Sequence, residues 1–320
     1  MKKTKVLITG VAGFIGSNLA DRLIKDGRYE VIGIDNLEYG IEEQIPEGVK
    51  FYKFDIRNIS RINDYIFKNV EYVFHFAAKN CISDCEKDPV ETIDINVNGT
   101  MRVFEASKKY NIKKVIYAES SAMYEGSEIY PTPEFEVKPQ SFYALSKMCS
   151  MHLAKGYSKI SNLKFTALRY FCVYGPRQDY RRSIPPLFSS FIIKLLRDET
   201  PTIYGTGEKR RDFIHVDDIN DFHIQCMNDD RTTGKVFNLG SGTNYSVNEI
   251  YTTISKLLIS NITPEHKDDL PGEAFQNLAD ITEANKLGWI PKIEIEEGLK
   301  TSIDFIKNEI ENGNIKKYKE

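Results

Sequence analysis

The first half of the chain repeats one rhythm: a short apolar run, a turn, then a longer amphipathic stretch. Lys5-Val-Leu-Ile-Thr9 is a β-type run of strand length, and Ser17 to Lys25 spaces its apolar residues as a helix face does. Further strand-length runs are Tyr29–Asp35, Lys50–Ile56, Tyr72–Ala78, Val115–Glu119 and Phe165–Phe171. Val90–Tyr110 and Phe142–Lys155 carry helical spacing between them. Alternating strands and helices predict an α/β fold with a doubly wound, Rossmann-type parallel sheet. After Gly175-Pro176 the rhythm fails. Loops lengthen, Pro185 and Pro186 adjoin, and Phe188–Arg197 and Val247–Leu258 stand as isolated helices. The pattern predicts a sheet domain over residues 1–175 and a smaller region over residues 176–320.

Composition narrows this little. With 320 residues the chain can bury a large core, and its formal net charge of −3 is spread among mixed acids and bases. The absence of a basic stripe argues against nucleic acid as a partner. No apolar run reaches transmembrane length, so no membrane partner is expected. Met1-Lys-Lys-Thr-Lys mimics the basic part of an export signal. The apolar part that follows is short, is interrupted by glycine and lacks a cleavage site, so it reads as a strand. Five scattered cysteines fit reduced thiols and a cytoplasmic location. Cys81 and Cys85 could share a helix face, but nothing completes a metal site and none is expected.

Two clusters carry chemistry. Gly10-Val-Ala-Gly13-Phe-Ile-Gly16 lies between the first strand and the first helix. Such a loop turns tightly, lets backbone approach a pyrophosphate and opens a helix whose free N–H groups attract phosphate. Asp35 ends the second strand about twenty residues on, where an acid accepts from the adenosine ribose diol and repels a 2′-phosphate. Asn36 and Leu37 follow with no arginine beside them, so NAD is expected over NADP. Asp55 and Ile56 would face the adenine, and Ala77 and Ala78 are small enough for close cofactor approach.

The second cluster is Tyr143-Ala-Leu-Ser-Lys147, preceded by Ser120-Ser121 at the carboxyl end of a strand. Tyr and Lys four apart share a helix face. An ammonium near a phenol favours the phenolate, which makes Tyr143 a candidate general base. A hydroxyl, a Tyr/Lys pair and a dinucleotide site together suit proton removal from an alcohol while a nicotinamide takes the hydride.

These residues, in order, resemble the extended short-chain dehydrogenase/reductase family, in its nucleoside-diphosphate-sugar epimerase and dehydratase branch. The resemblance covers nearly the whole chain. Beyond the glycine loop and Tyr143-x-x-x-Lys147, it rests on Asp55-Ile56, His75-x-Ala-Ala78, Asn96-Val-x-Gly-Thr100, Arg169-Tyr-Phe, Val173-Tyr-Gly-Pro-Arg177-Gln178 and Arg211-Asp212-Phe213 leading to Val216-Asp-Asp218. It implies that residues 1–175 bind NAD and residues 176–320 mainly bind a nucleotide sugar. It assigns catalysis to Ser120, Tyr143 and Lys147. Cofactor contacts fall to Gly10, Gly13, Phe14, Ile15, Gly16, Asp35, Asn36, Asp55, Ile56, Ala77, Ala78, Asn96 and Tyr170, with Tyr143 and Lys147. Substrate contacts fall to Ser121, Cys172, Arg177, Tyr204, Arg211 and Asn277, with Arg211 clamping the diphosphate and Asn277 near the sugar C2 substituent. A homodimer built on helices around Tyr143 is also implied.

The implied reaction is C4 epimerisation of a UDP-hexose or UDP-N-acetylhexosamine through a 4-keto intermediate. A 4,6-dehydratase acting on a UDP- or GDP-sugar is the alternative. Its extra acid and base would stand where this chain has Ser121 and Ala122. A non-catalytic dinucleotide sensor would tend to lose the Tyr/Lys pair. Three departures from the family pattern are Cys172 in place of Asn, Glu119 and Glu125 around the Ser120 turn, and Lys79-Asn80 after Ala78. Glu119 is expected to be a solvated or ion-paired strand-end carboxylate.

Overall fold

The computed structural model describes residues 2–60, 63–181, 185–269 and 274–316; Met1 lies outside them. The first six strands are β1 (Thr4–Thr9), β2 (Tyr29–Asp35), β3 (Lys50–Lys53), β4 (Tyr72–His75), β5 (Lys114–Ser120) and β6 (Phe165–Tyr170). Then come β7 (Cys172–Tyr174), β8 (Thr202–Tyr204), β9 (Arg210–His215), β10 (Val236–Leu239), β11 (Asn244–Ser246) and β12 (Glu265–Lys267). The helices used below are α1 (Phe14–Asp26), α2 (Ile82–Lys87), α3 (Pro89–Ile93), α4 (Thr100–Lys109), α5 (Phe142–Ser161), α6 (Leu187–Leu196), α7 (Val216–Asn228) and α8 (Val247–Leu258).

The central sheet has the order β10-β6-β5-β4-β1-β2-β3, and every pairing in it is parallel. Its strands are apolar on both faces because helices cover both. On one face α1 and α7 pack Leu19, Leu23, Ile219 and Phe222 against Ile8, Phe74 and Leu168. On the other, α4 and α5 pack Val103, Phe104, Met151 and Ala154 against Leu7, Val73, Val115 and Ala167. The chain leaves β1 toward β2 and returns at β4 on its other side, so the strand order reverses between β1 and β4. That switch point opens a crevice at the strands' carboxyl ends.

A second core surrounds a smaller sheet, β11-β9-β7, and joins α6, α8 and the last helix, Ile295–Glu311. Strands β8 and β12 pair separately. The expected division at residue 175 does not follow the packing. Residues after it return to the first unit: α7 lies beside α1, and β10 becomes the seventh strand against β6. The runs read through Ile56 and Ala78 are also shorter as strands, ending at Lys53 and His75. Asp55, Ile56, Ala77 and Ala78 therefore sit in the loops just past the strand ends.

Candidate active site

The glycine loop leaves β1 at the switch point. Gly10 has φ +75°, and a Cβ there would stand 2.8 Å from the Ala77 nitrogen. Only glycine permits this approach of the β1 and β4 loops. A Cβ on Gly16 would run into the Gly10 carbonyl, so α1 can lie this close only without one. Gly13 caps α1 with no side-chain hydrogen bond, and the first turn carries no acid. The positive helix end is thus left to an anion. Phe14 and Ile15 pack their side chains partly into the core below, which leaves their backbone to face the crevice.

Asp35 is buried, accepting from Ala12 N at 3.0 Å and Leu37 N at 2.8 Å. Burial pushes its carboxyl up, and those two N–H groups pull it back. Asn36 Nδ2 donates to Asp55 Oδ2 at 3.3 Å, and Asp55 also holds Arg57 through Nε at 3.1 Å and Nη2 at 2.7 Å. Arg57, to which the sequence reading assigns no role, is a cation beside Asp55. Asp55 occupies it, with Asp94 at 3.6 Å and Glu91 at 3.8 Å. Ile56 is buried against Gly99. An anion-attracting helix end, a close backbone approach and a diol-accepting carboxylate fit a dinucleotide.

Asn96 ties the loop after β4 to α5, the helix that carries Tyr143 and Lys147. Its Oδ1 accepts from Lys79 N at 2.8 Å, while its Nδ2 donates to Lys79 O and to Ser146 Oγ, each at 2.9 Å. It sits in a π-helical segment, Asp94–Gly99, between α3 and α4. Lys79 itself is buried and ion-paired to Glu91 at 2.6 Å. His75, held between Thr9 Oγ1 at 2.7 Å and Thr100 Oγ1 at 2.8 Å, is pushed by burial to about 3 and stays neutral. It braces β4 just before Ala77 and Ala78.

Ser120 ends β5, and its Oγ accepts from Ala122 N at 3.1 Å, leaving the O–H as a donor. Tyr143 is buried in the first turn of α5, and Lys147 follows one turn later, its Nζ 5.9 Å from the Tyr143 ring centre. Lys147 Nζ donates to Ala118 O at 3.0 Å, which anchors it between α5 and β5. Burial lowers the ammonium to about 8, while the Glu119 carboxylate opposes that shift. Cation and phenol thus share one buried pocket, where the pairing is worth more than in water.

The two glutamates of the turn have structural partners. Glu119 is fully buried rather than solvated, and Arg169 Nε donates to it at 2.7 Å across the β5–β6 register. Tyr117 OH donates to its other oxygen at 2.7 Å. Arg169 Nη1 continues to Tyr124 OH at 2.8 Å and to Glu134 O at 2.6 Å. Glu125 accepts from Gln140 N, Ser141 N and Ser141 Oγ at 2.9, 2.7 and 2.8 Å.

Arg211, Asn277 and Cys172, three residues expected to contact the substrate, gather around β9. Arg211 Nη1 donates to the carbonyls of Arg210 at 3.0 Å and Phe275 at 3.4 Å. Asn277 Oδ1 accepts from Asp212 N at 2.7 Å, and its Nδ2 reaches Cys172 Sγ at 3.7 Å. Cys172 and Asn277 are therefore neighbours, joined across β7 and β9. The buried Asp212 carboxylate accepts from Ser241 N and Oγ, Gly242 N and Ala279 N. Burial pushes that carboxyl up, and these donors counter it. Asp212, the middle residue of Arg211-Asp212-Phe213, is thus the hub of this region.

Three candidates sit differently from the rest. Arg177 turns toward α1, donating to Ser17 O at 3.3 Å with Asp21 at 3.7 Å, which places it beside the helix that the glycine loop opens. Tyr170 points into the α1/α7 core, its OH 2.6 Å from His223, so only its backbone faces the crevice. Tyr204 is partly exposed at the end of β8, in register with Lys267. Ser121 opens the 3₁₀ turn directly after Ser120.

The profile of the NAD dependent epimerase/dehydratase family matches residues 6–240. The chain belongs to this family. UDP-glucose 4-epimerase of Mycolicibacterium smegmatis is 32% identical over 95% of this chain and 99% of its own length. The chain is also similar to the Thermotoga maritima UDP-glucose 4-epimerase solved with UDP-glucose, at 33% identity and a TM-score of 0.91, over 96% of this chain and all of that one. The UDP-N-acetylglucosamine 4-epimerase of Methanobrevibacter ruminantium, solved with UDP-N-acetylmuramic acid, gives 34% and 0.91 over 97% of this chain and all of that one. Family membership brings NAD as the cofactor. No helix among the described residues is long and apolar enough to cross a membrane.

Proposed function

We propose that the protein is an NAD-dependent 4-epimerase of a UDP-hexose or UDP-N-acetylhexosamine. The observation that carries epimerisation over 4,6-dehydration is the commitment of both turn glutamates. Glu119 is closed off by Arg169 and Tyr117, and Glu125 is taken up at the start of α5. Ser121 and Ala122 supply no acid. A dehydratase needs a further acid and base at the sugar's C5 and C6, and this turn leaves none for them. The intact Ser120, Tyr143 and Lys147 group, with Arg211 retained, weighs against a non-catalytic sensor.

Gly10 to Gly16, Asp35 and the loops after β3 and β4 would hold NAD, which would supply hydride transfer at the sugar C4. Tyr143 takes and returns the proton at the C4 oxygen. Ser120 donates a hydrogen bond to that oxygen, and Lys147 supplies the charge that favours the phenolate. Arg211 holds the diphosphate through its planar fork. Arg177 steadies the cofactor helix, Tyr204 and Ser121 line the substrate side, and Cys172 and Asn277 border the sugar. The proposal includes a reducing, cytoplasmic setting, supported by five free thiols, and a homodimer through α4 and α5. Exposed Val90, Ile93 and Met101 beside those helices support the dimer. Sedimentation equilibrium giving a monomer would remove that part.

The test is NMR analysis of products from UDP-glucose, UDP-N-acetylglucosamine and a GDP-sugar. A C4 epimer supports the proposal. A 6-deoxy-4-keto product from any of the three replaces it with dehydration.

A further inference from the structure

Glu125 links the two elements that carry the reacting groups. It stands at the C-terminal end of the Ser121–Tyr124 turn, which begins on Ser120, and its carboxylate grips the residues that open α5. A continuous path of hydrogen bonds follows. Ser120 Oγ accepts from Ala122 N at 3.1 Å, and Ala122 O accepts from Glu125 N at 3.1 Å. The Glu125 carboxylate accepts from Ser141 N and Oγ, and Ser141 Oγ accepts from Ala144 N at 3.1 Å. Tyr143 lies in that same first helical turn. Two backbone bonds flank the path, Lys138 N to Met123 O at 2.8 Å and Gly126 N to Lys138 O at 3.0 Å. From α2, Glu86 Oε1 accepts from Phe142 N at 2.7 Å.

A carboxylate suits this place for two reasons. The first N–H groups of a helix have no partner within it, and the helix end is positive. One Glu side chain can take three donors at once, which an amide or hydroxyl cannot. Ser141 alone would cap α5 but would not tie the cap to the Ser120 turn.

We propose that Glu125 is a positioning residue that fixes the Ser120 hydroxyl relative to the Tyr143 phenol. This rests on the reading of Ser120 and Tyr143 as the groups at the sugar C4 oxygen. Both must reach one oxygen, so the distance between β5 and α5 has to be held within a fraction of an ångström. Misplacement by about 1 Å costs on the order of a hundredfold in rate. Glu125 acts on kcat through alignment and touches neither sugar nor cofactor.

The test compares Glu125→Ala, Glu125→Gln and Ser120→Ala, alone and in the Ser120→Ala/Glu125→Ala combination, with kcat, KM and NAD binding measured for each. Glu125→Ala is expected to lower kcat about tenfold with KM and NAD affinity within about twofold, and Glu125→Gln, which keeps the shape but only one acceptor oxygen for the three donors, to fall between wild type and Glu125→Ala. In the Ser120→Ala background, Glu125→Ala is expected to cost less than about twofold more, because the alignment it serves is gone. The inference is overturned if Glu125→Ala keeps kcat within about twofold, or if its loss is as large in the Ser120→Ala background. A loss of NAD binding in both Glu125 variants also overturns it, showing a general structural role. Failure of the underlying reading looks different: Ser120→Ala and Tyr143→Phe would then both retain turnover, whatever Glu125 does.

Discussion

The two cores of the molecule hold their functional residues by different means. In the seven-stranded sheet, position comes from apolar packing on both faces, and side chains are delivered wherever a strand ends. Ser120 ends β5, Asp35 closes β2, and Ala77 follows β4. Around β9, position comes from a polar hub. The Asp212 carboxylate joins the 240–242 turn to Ala279, while its backbone N–H holds Asn277. On the proposed function, reaction chemistry would rest on the element that packing makes stiff. Sugar contacts would rest on loops that a few hydrogen bonds shape, where sequence change could retune them without disturbing the sheet.

The strongest test of that division lies at the sheet end. Tyr143→Phe keeps the ring's packing and removes the base, so turnover should fall about a thousandfold while NAD and UDP-sugar affinity stay within about twofold. Near-normal turnover in a stopped assay would move the base elsewhere. On the other side, Asp212→Ala leaves buried donors unsatisfied around Asn277. Calorimetry should show UDP-sugar binding weakened about a hundredfold with NAD binding unchanged. If NAD affinity fell in parallel, the two cores would not be separable.

Smaller effects sharpen the contrast within each core. Asp35 should make the site prefer NAD over NADP by about thirtyfold, and Asp35→Ala should narrow that ratio. Equal binding of both cofactors by wild type would show that Arg57 escapes Asp55 to receive the phosphate. Asn277→Tyr should lower relative kcat/KM for acetylated over plain UDP-hexoses about tenfold, because a ring fills the space beside Cys172. Rejection of acetylated sugars by wild type would end that assignment.

The pH profile gives the smallest effect. Lys147 titrates at about 8, below the ordinary 10.5 of lysine, so its charge is present below pH 8 and lost as pH rises through it. The phenolate depends on that charge, so kcat/KM should decline above about pH 8. Lys147→Arg keeps a cation at all these pH values and should lose that alkaline limb, at whatever residual rate it has.

Most of the sheet and the cofactor loop could be read in the sequence because their signals are local. The glycine spacing, Asp35 and the Tyr143/Lys147 pair each fall within one element or one βαβ unit. What escaped was non-local. Strand β10 is four residues long, contains the buried polar Asn238, and pairs with a strand more than sixty positions earlier. Glu119 reads in sequence as a solvated or ion-paired carboxylate, and only the β5–β6 register supplies Arg169 as the partner that buries it. Glu125 meets its partners fifteen and sixteen residues away, across a loop without repeating pattern. Arg57 lies twenty positions beyond Leu37, and only folding brings Asp55, Glu91 and Asp94 around it.

The π-helical segment Asp94–Gly99 sets a rule for how this chain can change in length. A π turn holds one residue more than the α-helical frame around it. Deleting a single residue there would let α3 and α4 fuse into one regular helix with good backbone bonding, so the protein should still fold. The turns on either side would keep their facing, because the π turn already absorbs the extra residue's rotation of about 100°. Thr100 would still face His75, while Asn96, inside the segment, would lose its place against Lys79 and Ser146. The loop after β4 and the helix bearing Tyr143 would lose their common brace, so the surplus residue is what lets one helix address two partners at once.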